Sequence, residues 1–328
     1  MQAGAHAHPT TPTRKRVLVP LYSQSGQLGA VVEQILAPLR ESGDIEVHVE
    51  PLQPRPAYPF PWGVLRFFDT FPEAALMQPQ PLAPLGLRGD EAFDLVILPY
   101  QVWFLAPSLP VTSLLRLPLA RQLLAGRPVV TVVVCRNMWL MAQEKMKGLL
   151  ADVGARLIDH VALTDRGPLA ATFITTPLWM FTGRRTGWFG LPPAGVPEAD
   201  IRAARRFGLA LRDALKRDAE RGTVPLLAGL GAATADPTLL SSERAGTRSF
   251  FIWGRLIRRL GPPGALARQP VVALYVVFLV ALILTVVPLS AVVQFLLRPW
   301  LNTRLERLKT AFEAPSGSGT ERIAQYES

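Results

Sequence analysis

The feature that most constrains the fold is the stretch RVLVPLYSQSGQLGAVVEQIL at residues 16–36. It opens with an apolar run, residues 17–22, of the length and β-branching typical of a strand buried on both faces. A short polar loop follows and leads into an amphipathic helix. Such a loop presents hydroxyls and backbone N–H groups at a helix N-terminus, where the helix dipole favours negative charge. The sequence therefore predicts a strand, an anion-binding loop and a helix.

The polar loop matches neither the dinucleotide fingerprint GxGxxG nor the Walker motif GxxxxGK[ST]. Its order, a hydroxyl, any residue, a second hydroxyl and a glycine directly after a first strand, resembles the flavodoxin loop that holds the monophosphate of FMN. An ordinary serine-rich helix cap is the alternative. The resemblance implies that the cofactor phosphate is bound by Ser23, Gln24, Ser25, Gly26, Gln27 and Leu28.

Further apolar runs and helical patterns alternate along the next 180 residues or so. The runs predict strands at residues 45–49, 94–99, 127–135 and 156–164. The patterns predict a first helix that ends near residue 40 and later helices at residues 108–124, 138–153 and 196–218. Five strands separated by helices predict an α/β fold with a flavodoxin-like five-stranded parallel sheet of order 2-1-3-4-5. The loops after strands 1, 3 and 4 should then meet around one crevice at the carboxyl edge of the sheet.

Two of these loops carry groups suited to a flat ring. Aromatic faces, amides and a guanidinium can stack on such a ring or bond to it, although the same residue types also serve for packing and helix capping. The candidates after the third and fourth strands are Tyr100, Gln101, Trp103, Phe104, Arg136 and Asn137.

Two residues are candidates for the chemical step. Asp165 follows the fifth strand at its carboxyl end and is a candidate base, although an aspartate there is also a common loop cap. Cys135 closes the fourth strand and is a candidate nucleophile, although a thiol there usually behaves as a small hydrophobe. The sequence contains no HExxH, no GxSxG and no paired carboxylates, which argues against hydrolase, metalloenzyme and kinase functions.

Residues 51–90 interrupt the alternation of strands and helices. The segment is too apolar for a disordered linker and too rich in proline for one regular element. We interpret it as a lid or a lipid-facing insertion, with additional core packing as the alternative.

The C-terminal third predicts attachment to a membrane. Residues 269–297 contain no charged residue, and in a helix they would reach roughly 43 Å against a hydrocarbon core of about 30 Å. A buried core helix is the alternative. Arginines flank both ends, so the positive-inside rule does not orient the segment. The predicted order is a linker and basic interfacial helix at 222–268, a transmembrane or re-entrant helix at 269–298, and a basic helix and disordered tail at 299–328, after a disordered lead-in at 1–15.

Net charge and cysteine content indicate which partner and which cellular compartment suit the chain. The net charge is +10, and residues 166–309 carry 20 Lys/Arg against 8 Asp/Glu. Most of these charges lie near the long apolar segment, which favours an anionic membrane surface over nucleic acid as the partner. The single cysteine excludes an internal disulfide and favours a reducing compartment.

Over nearly its full length the chain resembles the bacterial dialkylresorcinol condensing enzymes, a flavodoxin-like family of aryl-lipid biosynthesis. The motifs that carry the resemblance are YSQSGQL at 22–28, YPFPW at 58–62, RFFDTFPE at 66–73, YQVWFLAPSLP at 100–110, CRNMWLMAQEK at 135–145, GLPPAGV at 190–196 and LYVVFLVALILTVVPLS at 274–290. In such pathways a ketosynthase joins two β-keto fatty acyl thioesters, and a second protein converts the cyclic diketone to a resorcinol. That conversion removes two electrons and two hydrogens, which side chains cannot do and a flavin can.

The resemblance implies a flavodoxin-like domain at residues 16–221, acting at the cytoplasmic face of a bacterial inner membrane as an FMN-dependent oxidoreductase or aromatase. The implied partners are a lipid-like β-keto acyl or cyclic diketone substrate, membrane lipids and a ketosynthase, with a homodimer as a further expectation. Two alternatives stay open. One is a non-catalytic membrane scaffold that recruits the ketosynthase, and the other is a quinone reductase that uses NAD(P)H.

Overall fold

The computed structural model describes residues 14–186 and 189–327. Its sheet has five parallel strands paired in the order β2-β1-β3-β5-β6, which confirms the predicted order 2-1-3-4-5. A two-residue strand, β4, pairs antiparallel with the end of β3. The strands are β1 (Lys15–Leu21), β2 (Ile45–Pro51), β3 (Leu95–Trp103), β4 (Ala106–Pro107), β5 (Pro128–Cys135) and β6 (Arg156–Thr164).

Ten α-helices lie in the described part of the chain. They are α1 (Gln27–Glu41), α2 (Val64–Ala75), α3 (Leu109–Leu115), α4 (Pro118–Leu124), α5 (Leu140–Asp152), α6 (Leu169–Thr182), α7 (Glu198–Ala203), α8 (Arg205–Leu215), α9 (Leu240–Arg258) and α10 (Gln269–Glu313). The predicted helix at 108–124 is divided into α3 and α4, where Pro118 starts a new first turn. The predicted helix at 196–218 is divided into α7 and α8.

Apolar layers cover both faces of the sheet. Helices α1 and α8 pack on one face, and α3, α4 and α5 contribute to the core on the other. The close crossing of α1 and α8 depends on Gly208, since a Cβ at this position would lie 2.0 Å from the carbonyl oxygen of Ile35. The central strands β3 and β5 are buried on both sides, as their continuous apolar sequences predict.

The insertion at 51–90 forms α2 and links the sheet to the C-terminal helices. On one side of α2, Phe71 packs with Ile257 of α9 and with Val272 and Tyr275 of α10. The backbone N–H of Trp62, just before α2, donates to the carbonyl of Met180 in α6 at 2.8 Å. The insertion therefore lies between the carboxyl edge of the sheet and the apolar C-terminal helices.

The C-terminal segment departs from the sequence prediction. The helix α10 extends from Gln269 to Glu313 without a break, and the stretch Leu266–Thr285 is by length and composition able to cross a membrane. The tail beyond α10, predicted to be disordered, packs on the domain and pairs through backbone bonds with residues 229–233. The lead-in predicted at 1–15 lies outside the described residues except for its last two.

Candidate functional site

The carboxyl edge of the sheet holds a crevice where the fold predicts one. We call it the rim crevice, and it encloses a cavity of about 170 Å³. The loop after β1, the ends of β3 and β5, the insertion and α6 all contribute walls. Its lining residues are Gln24, Ser25, Gln27, Leu28, Phe60, Trp62, Phe67, Gln101, Val102, Trp103, Phe104, Val134, Cys135, Arg136, Asp165, Thr176, Trp179, Met180 and Gly195.

The loop after β1 has the geometry of an anion site. Gly26 adopts φ +83°, a left-handed conformation that glycine takes without strain, and α1 begins at the next residue. The hydroxyl of Ser23 accepts a hydrogen bond from the N–H of Gly29 at 2.9 Å, so this serine caps the helix from within. The N–H groups of residues 25–28 have no acceptor among the described residues. Four amides at the positive end of a helix are thus free to bind an anion.

The two glutamines of this loop hold the walls of the crevice in place. The side chain of Gln27 is buried and makes two hydrogen bonds to the backbone of Val196, at 3.0 and 3.1 Å. The amide of Gln24 donates to the carbonyl of Pro59 at 3.1 Å and so ties the insertion to the loop. Both were predicted to bind the cofactor; the structure places both at the crevice with these side-chain donors engaged inside the protein.

Aromatic rings form the side of the crevice that faces the insertion. The ring of Trp103 lies edge-on to Tyr22, Tyr58 and Trp62, with ring centroids 5.0–6.0 Å apart. Phe104 packs against Phe67 with centroids 4.9 Å apart. Trp103 and Phe104 therefore lie at the crevice, as the sequence predicts.

Tyr100 is not at the crevice. Its side chain is fully buried within β3, and its hydroxyl donates to Oε1 of Gln143 at 2.7 Å. The reason is the length of the strand. The sequence predicts that β3 ends at residue 99, whereas the strand continues to Trp103, and strand alternation turns Tyr100 to the same core layer as Val96 and Leu98.

The turn after β3 is strained. Phe104 and Leu105 both adopt positive φ, +50° and +57°, which bulky residues rarely do. The pairing of Trp103 with Ala106 closes this two-residue turn, and Nζ of Lys145 donates to the carbonyl of Leu105 at 2.8 Å. The strain holds the ring of Phe104 at the crevice, since a relaxed turn would not present the side chain there.

Three buried polar atoms in the lining of the crevice have no hydrogen-bond partner among the described residues. They are Oε1 of Gln101, Nε1 of Trp62 and Oγ1 of Thr176. An unpaired buried polar group costs about 1–3 kcal/mol, so native proteins rarely keep several together. Two acceptors and a donor facing one cavity are the pattern expected of a site that is completed by a polar ligand.

Arg136 is a further unsatisfied group of the crevice. Its guanidinium stacks on the ring of Phe173, 4.0 Å from the centroid, and has no hydrogen-bond or ion-pair partner among the described side chains. Burial lowers the pKa of this guanidinium from its usual value, but an arginine remains charged. Asn137, the other candidate of this loop, does not line the cavity, and its buried Oδ1 has no hydrogen-bond partner among the described residues.

The two residues considered for chemistry have different surroundings. Oδ1 of Asp165 accepts from the N–H of Gly167 and Oδ2 from that of Gly195, both at 2.7 Å, so this carboxylate ties two loops together. Burial raises the pKa of the Cys135 thiol, which is therefore protonated at neutral pH and poorly suited to act as a nucleophile. Both lie at the crevice, yet neither has the geometry of a free base or an activated nucleophile.

Sequence reasoning missed the residues that α6 and the insertion bring to the crevice, among them Trp62, Thr176 and Trp179. The segment LAATFITTPLWMFT is mostly apolar, has no charged residue and contains Pro177, so no clear helical periodicity marked it. The absence of any charged residue over its fourteen positions was the available signal.

The strand order, with the polar loop between β1 and α1 at the carboxyl edge of the sheet, defines a flavodoxin-like α/β fold. Similar solved structures include an archaeal flavodoxin, with 12% identity, a TM-score of 0.34 and coverage of 62% of this chain and 99% of that chain. A Lactobacillus acidophilus flavoprotein in complex with FMN has 13% identity and a TM-score of 0.37, over 45% of this chain and 93% of that one. The Trp repressor binding protein of Bacillus subtilis has 13% identity and a TM-score of 0.28, over 51% and 98%. No family model and no curated protein matches the chain.

Proposed function

We propose that the chain is an FMN-dependent oxidoreductase and that the rim crevice holds the flavin. The observation that carries this proposal is the set of unpaired polar groups in one place: four free amides at the start of α1, three orphaned side-chain atoms and an unpaired guanidinium. The free amides suit a phosphate, and the orphaned atoms suit the edge of a polar ring. Together, the free amides and the orphaned atoms match the phosphate and the ring edge of a flavin mononucleotide.

Each part of the crevice then has a role in binding. The amides of residues 25–28 bind the phosphate, Trp103 and Trp62 face the ring, and Gln101 and Thr176 satisfy polar atoms at its edge. When bound, a flavin supplies two-electron oxidation that side chains cannot. The cavity of about 170 Å³ is below the roughly 300 Å³ at the low end of small-molecule sites, so binding requires the insertion to move outwards. The contacts of Gln24 with Pro59 and of Trp62 with Met180 are the ones that such a movement would break.

The proposed substrate is a cyclic diketone with long acyl chains, which the enzyme would convert to a dialkylresorcinol at a membrane. The support is the resemblance to the dialkylresorcinol condensing enzymes together with the apolar helices α9 and α10 next to the insertion. Because Asp165 is tied to two amides, we assign no carboxylate base. A 1,3-diketone enolises readily, and the unpaired Arg136 is placed to stabilise an enolate oxygen within the crevice.

A titration of FMN into the full-length chain in mild detergent tests the site. Ser25→Glu places a negative charge beside the free amides and should weaken FMN binding at least tenfold, as measured by quenching of flavin fluorescence. Ala151→Glu adds the same charge to an exposed position on α5, away from the crevice, and should leave FMN affinity unchanged. A failure of the unaltered chain to bind FMN at micromolar concentrations would contradict the proposal.

Turnover separates an enzyme from a scaffold. The FMN-loaded chain in membranes should convert a dialkyl cyclohexane-1,3-dione to the resorcinol with reduction of the flavin. Arg136→Met should slow this reaction at least tenfold while FMN remains bound. Intact FMN binding with no reaction of the diketone would instead indicate a flavin-binding scaffold.

A further inference from the structure

The start of α10 is fixed to the domain by a buried ion pair. Arg268, directly before the helix, is fully buried and forms two hydrogen bonds with the carboxylate of Glu73 in α2, at 3.2 and 3.0 Å. Its Nε also lies 3.1 Å from Oδ1 of Asp69. One and two turns into the helix, Val272 and Tyr275 are buried, and the Tyr275 ring stacks on Phe71 with centroids 4.3 Å apart. This end of α10 cannot leave the domain without exposing paired charges.

The C-terminal end of α10 is also fixed to the domain by buried side chains and hydrogen bonds. Phe312 is buried in the core layer that includes β5 and α5. Oε1 of Glu313 accepts from the N–H of Ala235 at 3.0 Å, and Oε2 accepts from Ser318 at 2.7 Å. Ser316 is 3% exposed, and its hydroxyl donates to Asp159 and accepts from the N–H of His160, both at 2.7 Å. The last turn of the helix and the tail beyond it are therefore part of the folded domain.

The two anchors are too close for a straight helix. Tyr275 and Glu313 are 38 residues apart, which is about 57 Å in an α-helix. On the domain, Tyr275 contacts Phe250 of α9 and Glu313 contacts Ala235. The chain between Phe250 and Ala235 covers at most about 28 Å, with ten residues in α9, three in a 3-10 turn and two extended, and the side chains of the two contacts add at most about 23 Å. The helix therefore bends away from the domain between the anchors, where the sequence has prolines at positions 288 and 299.

The surface of the C-terminal helices that faces away from the domain is apolar with a basic flank. On α10 the exposed side chains include Leu274, Val277, Val280, Leu284 and Leu289, between 49% and 70% exposed. On α9 and at the residue that follows it, exposed Phe251, Ile252 and Leu256 lie among arginines at positions 244, 248, 255, 258 and 259. Apolar side chains interleaved with arginines along one helix are typical of a segment at a lipid headgroup layer.

We propose that α10 enters and leaves the same leaflet of an anionic bilayer, so that the chain is monotopic and not single-pass. A single crossing would put the Arg268 and Glu313 anchors on opposite sides of the bilayer, whereas both hold buried contacts with one domain. The arginines of α9 supply the charge complementarity that selects an anionic lipid surface over an apolar protein partner. The proposal rests on the membrane attachment within the proposed function and is independent of the flavin.

Labelling of single cysteines in the full-length chain tests the topology. The native thiol is removed by Cys135→Ala, and new thiols are placed at exposed positions by Ala151→Cys in the domain and Ala324→Cys in the tail. In sealed vesicles of uniform orientation, a membrane-impermeant maleimide should label both positions from the same side and to the same extent. Labelling of the two positions from opposite sides would overturn the proposal. The same labelling of detergent-solubilised protein gives the maximum extent of labelling at each position, against which the labelling in vesicles is compared.

The occupant of the apolar face is tested separately. Leu284→Cys carrying an environment-sensitive fluorophore should be quenched by lipids brominated in the acyl chain, and more efficiently with those brominated near the headgroup than near the bilayer midplane. The chain should also float with vesicles that contain phosphatidylglycerol at least tenfold better than with phosphatidylcholine alone. Absence of quenching, as for a face covered by a second copy or another protein, would overturn the proposal. FMN binding is measured in detergent, whereas labelling, quenching and flotation are measured with lipid vesicles. A failure to bind FMN would therefore contradict the flavin site and leave the results on membrane topology unaffected.

Discussion

Two buried polar regions of this molecule satisfy their groups in opposite ways. The tail cluster, which we define as Asp159, Glu313, Ser316 and Ser318, pairs every side-chain oxygen with a donor or acceptor inside the protein. In the part of the chain that the structure describes, the rim crevice leaves one atom each of Gln101, Trp62 and Thr176 unpaired, and the guanidinium of Arg136 without a hydrogen bond. Evolution keeps unpaired buried groups only where something compensates them. The difference fits a structural role for the tail cluster and supports the proposal that the crevice binds a ligand.

The largest effect should come from removing an acceptor of the tail cluster. Asp159 accepts from the N–H groups of Leu226 and Leu227 and from Ser316. Asp159→Ala leaves three buried donors unpaired and, at low pH where the contribution of Asp159 is full, should lower the free energy of unfolding by about 3–5 kcal/mol. Thermal unfolding in detergent measures the loss. Asp90→Ala removes an exposed aspartate with one surface ion pair and should change stability by less than about 0.5 kcal/mol.

The same carboxyl gives the tail cluster a pH dependence. Burial raises the pKa of Asp159 to about 6 from the ordinary value of 3.8. Between these two values the folded protein holds the proton more tightly than the unfolded chain, so the contribution of Asp159 to stability is full at lower pH and is lost as pH rises through about 6. The stability difference between the wild type and Asp159→Asn should therefore shrink by about 3 kcal/mol from pH 3.5 to pH 7.5. A difference that grows with pH would show that the folded protein holds this group as a carboxylate.

Removing an unpaired group of the rim crevice should have the opposite effect to Asp159→Ala, since it should keep stability and weaken FMN binding. Gln101→Leu and Thr176→Val delete buried polar atoms that have no partner, so each should leave stability unchanged or raise it by up to about 1 kcal/mol. If a bound flavin satisfies these atoms, each variant should weaken FMN binding by about 1–2 kcal/mol, or five- to thirtyfold. A variant that loses stability but keeps its FMN affinity would show that these crevice residues have a structural role, as the tail cluster does.

The contrast also explains what the sequence could and could not predict. The strand order and the bounds of β6 followed from apolar runs, because burial on both faces leaves a local signature. The loop after β1 was also visible, since its residues are contiguous. The tail cluster was not, because Asp159 and Ser316 are 157 residues apart and a polar tail with such partners looks disordered locally. Tyr100 was misplaced for a similar reason, since the pairing with β5 that carries β3 past residue 99 is invisible in the strand's own pattern.

The smallest effect distinguishes two serines of one loop. Ser23 already accepts a hydrogen bond from the N–H of Gly29 inside the protein, whereas the side chain of Ser25 lines the crevice without a hydrogen bond to any described residue. Ser23→Ala should cost about 1 kcal/mol of stability, the usual value for a lost helix cap, and change FMN affinity less than threefold. Ser25→Ala should leave stability unchanged and weaken FMN binding three- to tenfold, since its hydroxyl is free to reach a phosphate. The reverse pattern would mean that the phosphate displaces the hydrogen bond between Ser23 and the N–H of Gly29. The pairing seen in this loop would then describe only the ligand-free state.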